Sequence, residues 1–268
     1  MRTILAALLL LSAPAFAARY TVMEHWNTPM VPNAYGEPTD SLGVGMDGNY
    51  CVGYSGATEN LSTGAYALTD PGGHTSFTAR VPPNTARTGC GWAASEWSTR
   101  QGWPGNGTTP YGPSPYGYGY YETRMRPTCT QGVSASFFWV QAPNYGPLEL
   151  DVEFPNNPGH TFSDVHWTIH PAGQTIDYQL GFNPCQAAHR YGFLWTPGEV
   201  QFTVDGAVKY TMTDPSLVST ATGYVMGNTM AGITNWGGGP GSVPNQAEAD
   251  TVYLWWGYQA GATSVPGK

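Results

Sequence analysis

The amino-acid sequence predicts an all-β protein, built as a sandwich or a barrel, and three observations lead to this fold class. First, 35 glycines and 23 prolines indicate many turns, while 41% hydrophobic and 13% aromatic residues indicate a packed core rather than disorder. Second, no long run shows the three- and four-residue spacing of apolar positions that marks a helix. Third, short alternating segments recur with turn residues between them. We expect residues 18–268 to form a single domain, because no linker, repeat or charge block divides them.

The predicted strands follow from local alternation of apolar and polar residues. Residues 200–210 give the clearest pattern, because Asp205 and Gly206 supply the two positive φ angles of a type I′ turn inside a hairpin. The other predicted strands are residues 76–81, 118–125, 133–140, 148–154, 164–170, 175–181, 191–195 and 251–258.

Residues 148–154 carry the strongest indication of function, because three carboxylates alternate with apolar residues in a chain that is only 10% charged. In a strand, Glu149, Asp151 and Glu153 share one face. Three like charges on one face repel and raise one another's pKa unless water, a metal or a substrate uses them. Glycoside hydrolysis needs such a pair of carboxyl groups, one ionised and one protonated, and Asp151 could separate their roles.

Geometry sets a condition on this interpretation. The backbones of Glu149 and Glu153 would stand roughly 13 Å apart in a flat strand, whereas retaining glycosidases hold their carboxyl groups about 5 to 5.5 Å apart. The two side chains must therefore converge over a bent sheet. Three alternatives stay open: a solvated edge strand, a calcium site, and a carbohydrate-binding domain without activity.

The N-terminus and the cysteines indicate export. Residues 1–17 have the charged start, apolar core and small-residue cleavage site of a signal peptide, and no later stretch has the length of a membrane helix. We therefore expect a secreted protein. Four cysteines at spacings that match no zinc motif are candidates for two disulfides in any of three pairings. They are Cys51, Cys90, Cys129 and Cys185.

Charge limits the class of partner. A net charge of −8 disfavours nucleic acid and anionic membranes, whereas a neutral polymer is compatible with it. We expect a polysaccharide as partner and a monomer as the working form, although no residue pattern addresses the oligomeric state.

The acidic strand and its surroundings resemble glycoside hydrolase family 16, which includes lichenases, laminarinases and xyloglucan transglycosylases. The resemblance runs from Glu96 to Tyr258 and rests on four segments in the family's order. These are residues 118–127, 132–138, 149–154 and 190–206. One departure concerns substrate, because Pro147 and Leu148 replace the Trp and Asp that often precede the first Glu in lichenases.

The resemblance implies a fold, a reaction and a set of catalytic residues. The fold would be a jelly-roll β-sandwich of two antiparallel sheets with a concave substrate groove. The reaction would be retaining hydrolysis of internal β-1,3 or β-1,4 linkages, with β-glucan favoured, or transglycosylation by the same acids. Glu149 would be the nucleophile, Glu153 the general acid and base, and Asp151 the residue that tunes them. No cofactor and no metal is implied.

Five further residues are predicted to bind substrate. Glu96 and Trp97 resemble an acidic and aromatic pair of lichenases, although a salt bridge and a core tryptophan are the alternative. His166 resembles a groove histidine of laminarinases, with a structural histidine as the alternative, and Asn228 resembles an asparagine on a groove-facing strand. Trp236 lies in a glycine-rich segment that favours an exposed ring able to stack on a sugar.

Overall fold

The computed structural model describes part of the chain. These parts are residues 20–24, 31–32, 38–39, 45–50, 66–69, 75–81, 93–99, 116–142, 146–156, 163–215, 217, 220–231 and 249–266. Between residues 22 and 96 the description extends to the backbone alone.

The described residues form strands and no helix. The strands are β1 (Val22–Glu24), β2 (Val31–Pro32), β3 (Pro38–Thr39), β4 (Gly45–Tyr50), β5 (Tyr66–Thr69), β6 (Thr75–Val81), β7 (Ala93–Ser98), β8 (Gly119–Arg126), β9 (Val133–Gln141), β10 (Glu149–Phe154), β11 (Asp164–His170), β12 (Gln174–Gln179), β13 (His189–Thr196), β14 (Glu199–Val204), β15 (Ala207–Thr213), β16 (Gly223–Ala231) and β17 (Ala249–Ala260). The described part of the chain therefore contains no helix that is long and apolar enough to cross a membrane.

Two antiparallel sheets contain these strands. The sheet with the three carboxylates, called the acid sheet here, has the order β12-β11-β10-β9-β16-β7-β4-β3-β2. The second, called the back sheet, has the order β15-β14-β13-β8-β17-β6-β5, and β1 also pairs with β17. The acidic strand β10 therefore lies inside its sheet, between β9 and β11. An interior strand has both edges paired, so its backbone is fixed along its length.

Aromatic side chains hold the two sheets together. Trp139 on β9 lies against Trp195 on β13 with ring centroids 4.7 Å apart, and Trp167 on β11 stacks on Phe202 on β14 at 5.1 Å. All four rings are fully buried. Because side chains alternate along a strand, this packing also fixes which side chains of β9 and β11 point away from the core.

The predicted strands are confirmed with shifts of a few residues at their ends. The predicted hairpin is formed by β14 and β15, and Asp205 and Gly206 have φ angles of 51° and 75°, as the turn type requires. β16, which pairs with β9, and β7, which pairs with β16, are not among the predicted strands.

Candidate active site

The acidic strand β10 has one buried face and one polar face. Its core-facing side chains, Leu150, Val152 and Phe154, have exposures of 0%, 0% and 2%. Glu149 and Glu153 on the other face are partly exposed, while Asp151 between them is buried. The side of the acid sheet that carries the three carboxylates is called the acid face below.

Register defines what lies beside each carboxylate. Opposite the three acids on β11 stand His170, Thr168 and His166, and opposite them on β9 stand Val140, Phe138 and Ser136. The acid face is therefore polar on the β11 side of the carboxylates. On the other side it carries a small apolar cluster from β9 and β16, which consists of Phe138, Val140, Tyr224 and Met226.

Glu149 and Asp151 form a hydrogen-bonded pair with unequal proton affinities. Burial raises the pKa of Glu149, and the charge of His170 and the hydrogen bond from Asp151 partly offset this. Burial, the charge of Glu149 and the hydrogen bond to Glu149 together raise the pKa of Asp151 well above its usual range. Asp151 therefore keeps its proton and donates it in a hydrogen bond while Glu149 ionises.

His166 is held by a carboxylate of the neighbouring strand. Its Nδ1 lies 2.6 Å from Oδ1 of Asp177 on β12, and the residue is 7% exposed. A carboxylate accepts hydrogen bonds and does not donate them, so Nδ1 carries the proton and the ring orientation is fixed. Because His166 pairs in register with Glu153, this fixed ring lies beside the outer glutamate.

Asn228 lies on the acid face two strands away from Glu153. Its side-chain oxygen accepts a hydrogen bond of 2.5 Å from the hydroxyl of Ser136, and both residues are buried. Tyr253 of the back sheet lies behind them, with its hydroxyl 2.6 Å and 3.0 Å from the backbone oxygens of Ser136 and Asn228. This contact ties the acid sheet to the back sheet directly behind the site.

The prediction that Trp97 binds substrate is wrong. Its side chain is fully buried, and its ring lies 5.4 Å from that of Tyr253 and stacks on that of Trp256 at 6.0 Å. Core packing therefore accounts for this residue, as the alternative interpretation proposed. Glu96, the residue before it, pairs in backbone register with Asn228, and its side chain lies outside the described part of the chain.

Several predictions fall outside the described residues or are met in part. Trp236, Cys51 and Cys90 are not within the described ranges. Cys129 and Cys185 form a disulfide with a Cα–Cα distance of 5.8 Å, as two of the four candidate cysteines. Among the described residues, no group of three or more His, Cys, Asp or Glu side chains is arranged to hold a metal ion.

Sequence reasoning missed three residues of this site. His170 contacts Asp151, Asp177 holds His166, and Ser136 holds Asn228. The alternation of His166, Thr168 and His170 on a predicted strand could have indicated a polar face on β11. The contacts of Asp177 and Ser136 depend on register between strands, which the sequence does not give.

Glycoside hydrolases use a pair of Asp or Glu carboxyl groups on either side of the bond they cleave, and the acid face carries a row of three such groups. Residues 106–256 match the family model for glycosyl hydrolases family 16, and this match covers more than half of the chain. The chain belongs to that family, and the resemblance is confirmed.

Named relatives agree with this assignment. The β-glucanases of Paenibacillus polymyxa and Bacillus subtilis strain 168 are each 33% identical over 142 residues, or 51% of this chain and 59% and 58% of theirs. The chain thus spans less than two thirds of the length of these relatives.

Solved structures agree on the fold. The β-glucanase of Bacillus licheniformis aligns with a TM-score of 0.61 at 22% identity, covering 89% of this chain and 97% of that one. A laminarinase from Flavobacterium sp. UMI-01 aligns with a TM-score of 0.64 at 16% identity, covering 90% and 99%. The predicted fold class, a jelly-roll sandwich of two antiparallel sheets, is confirmed.

Proposed function

We propose that the protein is a retaining endo-β-glycosidase that hydrolyses internal β-1,3 or β-1,4 linkages of a polysaccharide, with β-glucan favoured. The observation that carries the proposal is the Glu149–Asp151 pair, in which one carboxyl group donates a hydrogen bond to the other on the same face as Glu153. Membership of the family and the β-glucanase relatives support the substrate class.

In the first half of the reaction, Glu149 is the nucleophile. Its carboxylate attacks the anomeric carbon while the protonated Glu153 gives its proton to the glycosidic oxygen, and the bond between that carbon and oxygen breaks. The hydrogen bond from Asp151 favours the ionised form of Glu149 and so partly offsets the effect of burial on its pKa. The two glutamates must converge to the separation that a covalent intermediate requires, about 5 to 5.5 Å.

In the second half, the roles of acid and base reverse at Glu153. Its carboxylate removes a proton from water, the resulting oxygen attacks the anomeric carbon, and the ester bond to Glu149 breaks. The product keeps the β configuration. If a sugar hydroxyl replaces water at this step, the same acids carry out transglycosylation.

The neighbouring polar residues would bind and orient the sugar. His166, fixed by Asp177, lies beside Glu153 on one side, and Asn228, held by Ser136, lies on the other. Side chains with fixed hydrogen-bonding orientation are suited to sugar hydroxyl groups, because little entropy is lost when they bind. Glu96 and Trp236 stay predicted substrate contacts.

Activity is tested first on a panel of polysaccharides. We expect release of reducing ends from lichenan or laminarin, and little from xyloglucan, agarose or carrageenan. Mass spectrometry of the products separates hydrolysis from transfer, because only transfer gives chains longer than the substrate's fragments. NMR of freshly formed product should show the β anomer first, and an initial α anomer would contradict double displacement.

The roles of the two glutamates are separated by alanine variants with added azide and an aryl β-oligoglucoside. In Glu149→Ala, azide should attack the anomeric carbon directly and give the α-azide. In Glu153→Ala, Glu149 still forms the ester and azide should then give the β-azide. The opposite stereochemistry would exchange the two roles, and azide products from neither variant would contradict catalysis by this pair.

We also propose that residues 1–17 direct export and that residues 18–268 form the mature single domain. The charged and apolar pattern of the first residues supports this, and so does the Cys129–Cys185 disulfide, because disulfides persist in oxidising compartments. Mass measurement of protein from the medium of a secreting host should give a chain that begins near Ala18. Retention of the intact chain inside the cell would contradict this.

A further inference from the structure

His170 occupies a position that neither the sequence analysis nor the proposed reaction uses. It is the last residue of β11 and pairs in register with Glu149, so it lies at the same end of the acid face as that carboxylate. The chain reverses directly after it, and the amide of Gly173 donates a 3.0 Å hydrogen bond to the carbonyl of Ile169. The tight turn fixes the strand end that carries the imidazole.

The imidazole of His170 connects a buried acid to solvent. Its Nε2 lies 3.3 Å from Oδ2 of Asp151, and the side-chain exposures are 51% for His170 and 5% for Asp151. The contact is diagonal across the two strands, because Asp151 itself pairs with Thr168. Asp151 thus has Glu149 on one side and the imidazole on the other.

The described titratable groups around this pair are few. On the acid face, β9 contributes no ionisable side chain opposite the acids, and β10 itself contributes Glu153. From β11 come His166 and His170, and from β12 comes Asp177, which is already bound to His166. His170 contacts the Glu149–Asp151 pair through Oδ2 of Asp151.

We propose that His170 is a positioning residue for the acid pair, which holds the Asp151 carboxyl group against Glu149 and supplies a positive or polar partner on the solvent side. This inference rests on the proposed function for its catalytic meaning. The imidazole charge favours the ionised form of Glu149, which is the form that attacks the anomeric carbon. Its contact with Asp151 restrains the donor whose hydrogen bond has the same effect.

Kinetic variants test the proposal on a substrate that the intact protein cleaves. His170→Ala removes the contact and the charge, while His170→Gln places an uncharged amide donor near the position of Nε2. The matched control is His189→Asn on the back sheet, where Nδ1 of His189 lies 2.9 Å from Oδ2 of Asp205. That pair is also a contact between an imidazole and an aspartate, and it lies on the back sheet, away from the acid face.

The pH profile of kcat/KM is the decisive kinetic readout. Without the imidazole charge, the pKa of Glu149 rises, so the acid limb of the profile should move to higher pH. On that limb His170→Ala should lose about three- to fivefold in kcat/KM, as for a half-exposed ionic partner. His170→Gln should restore the maximal kcat/KM of the profile, while its acid limb should stay at the higher pH. His189→Asn should change neither the maximal value nor the position of the acid limb. An acid limb of His170→Ala that coincides with the limb of the intact protein would overturn the proposal.

A carboxyl titration decides the proposal without any activity. In protein labelled with ¹³C at the Asp and Glu carboxyl carbons, the resonance of Glu149 is identified by its absence from Glu149→Gln. In His170→Ala this resonance should titrate at higher pH than in the intact chain, and equal titration would contradict the inference. If no polysaccharide is cleaved, the proposed function fails, and this titration still decides whether His170 controls the pair.

Discussion

Two buried carboxyl groups on opposite sheets show how differently the molecule treats one chemical group. Glu122 on β8 of the back sheet is 1% exposed, and Asp151 on the acid sheet is 4% exposed. The carboxylate of Glu122 accepts hydrogen bonds of 2.6 Å and 2.7 Å from the hydroxyls of Tyr20 and Tyr120, and Nη1 of Arg190 lies 3.6 Å away. Asp151 instead faces a second carboxyl group and a histidine.

The difference shows how a structural carboxyl group can be distinguished from a catalytic one in this fold. Burial, followed by the charge of Glu122, raises the pKa of Tyr120 well above its usual value, so its hydroxyl stays a donor to that carboxylate. Glu122 is therefore surrounded by groups that stabilise a buried acceptor. Burial, the charge of Glu149 and the hydrogen bond to Glu149 raise the pKa of Asp151 and favour its protonated form. Folding alone does not require this arrangement, whereas controlled ionisation of Glu149 explains it.

The largest expected effect is on activity, which should depend on Glu149 of the acid sheet and not on Glu122 of the back sheet. Glu149→Gln should lower kcat by at least about 10³-fold, because the nucleophile is removed. Glu122→Gln should leave kcat of the folded protein within about threefold, because Glu122 lies on the back sheet and not on the acid face. Both are measured on the polysaccharide that the panel identifies. Equal losses in the two variants would remove the functional distinction.

The next prediction concerns stability, where substitution of Glu122 should have the larger effect and substitution of Glu149 the smaller one. Glu122→Ala should lower the free energy of unfolding by about 3 kcal/mol, because it removes the carboxylate that accepts from two tyrosine hydroxyls and pairs with Arg190. Glu149→Ala, at a partly exposed position beside another acid, should change it by less than about 1 kcal/mol. Urea unfolding measures both. A smaller loss for Glu122→Ala than for Glu149→Ala would contradict the comparison.

A third prediction concerns the pH dependence of stability at Asp151. The raised pKa of Asp151 means that its contribution to stability is present below the unfolded pKa and is lost as the pH rises through the folded pKa. Asp151→Asn, which resembles the protonated acid, should therefore stabilise the protein by about 0.5 to 2 kcal/mol at neutral pH. The gain should vanish in acid. Thermal unfolding across a pH series that extends below the ordinary pKa of Asp, from about pH 3 to about pH 8, measures this.

Asp205 provides a control of opposite sign for that experiment. Its burial opposes ionisation, but hydrogen bonds from the Arg190 amide and His189, with the charges of both residues, hold its pKa below the usual value. Its contribution is present above the unfolded pKa and is lost as the pH falls through the folded pKa. Asp205→Asn should thus destabilise at neutral pH, with a smaller effect in acid. The same sign for both variants would contradict the assignment.

The smallest expected effect is on stability and concerns Tyr20. Tyr20→Phe removes the hydroxyl that donates to Glu122 but keeps the ring that lies 5.9 Å from Trp255. The expected loss is about 0.5 to 1.5 kcal/mol in the free energy of unfolding, with unchanged activity. Urea unfolding measures it, and a change in kcat at constant stability would link the back sheet to catalysis.

Local patterns gave the features that depend on neighbouring residues. The period of two placed the acids of β10 on one face, and the Asp205–Gly206 pair predicted the hairpin turn. The β16 strand was missed because Gly223, Gly227 and Asn228 are poor strand formers. Register between strands is not a local property, so the sequence did not give the contacts of His170 or Asp177.

The error at Trp97 has a physical reason within the sequence itself. Adjacent residues of a strand point to opposite faces, so Glu96 and Trp97 on β7 cannot both line the acid face. The resemblance treated them as a pair, whereas alternation separates them. The same rule that located the acids would have placed the tryptophan in the core.

Gly227 on β16 shows how a position remote from the acids can govern them. Any Cβ atom there would overlap the indole of Trp97. A side chain at this position would displace that ring, which contacts Tyr253, the residue whose hydroxyl bonds the backbone at Ser136 and Asn228. In a scan of all single substitutions, this glycine should therefore tolerate as few replacements as a catalytic residue does, although a side chain there would point toward the buried Trp97 and not toward the acid face.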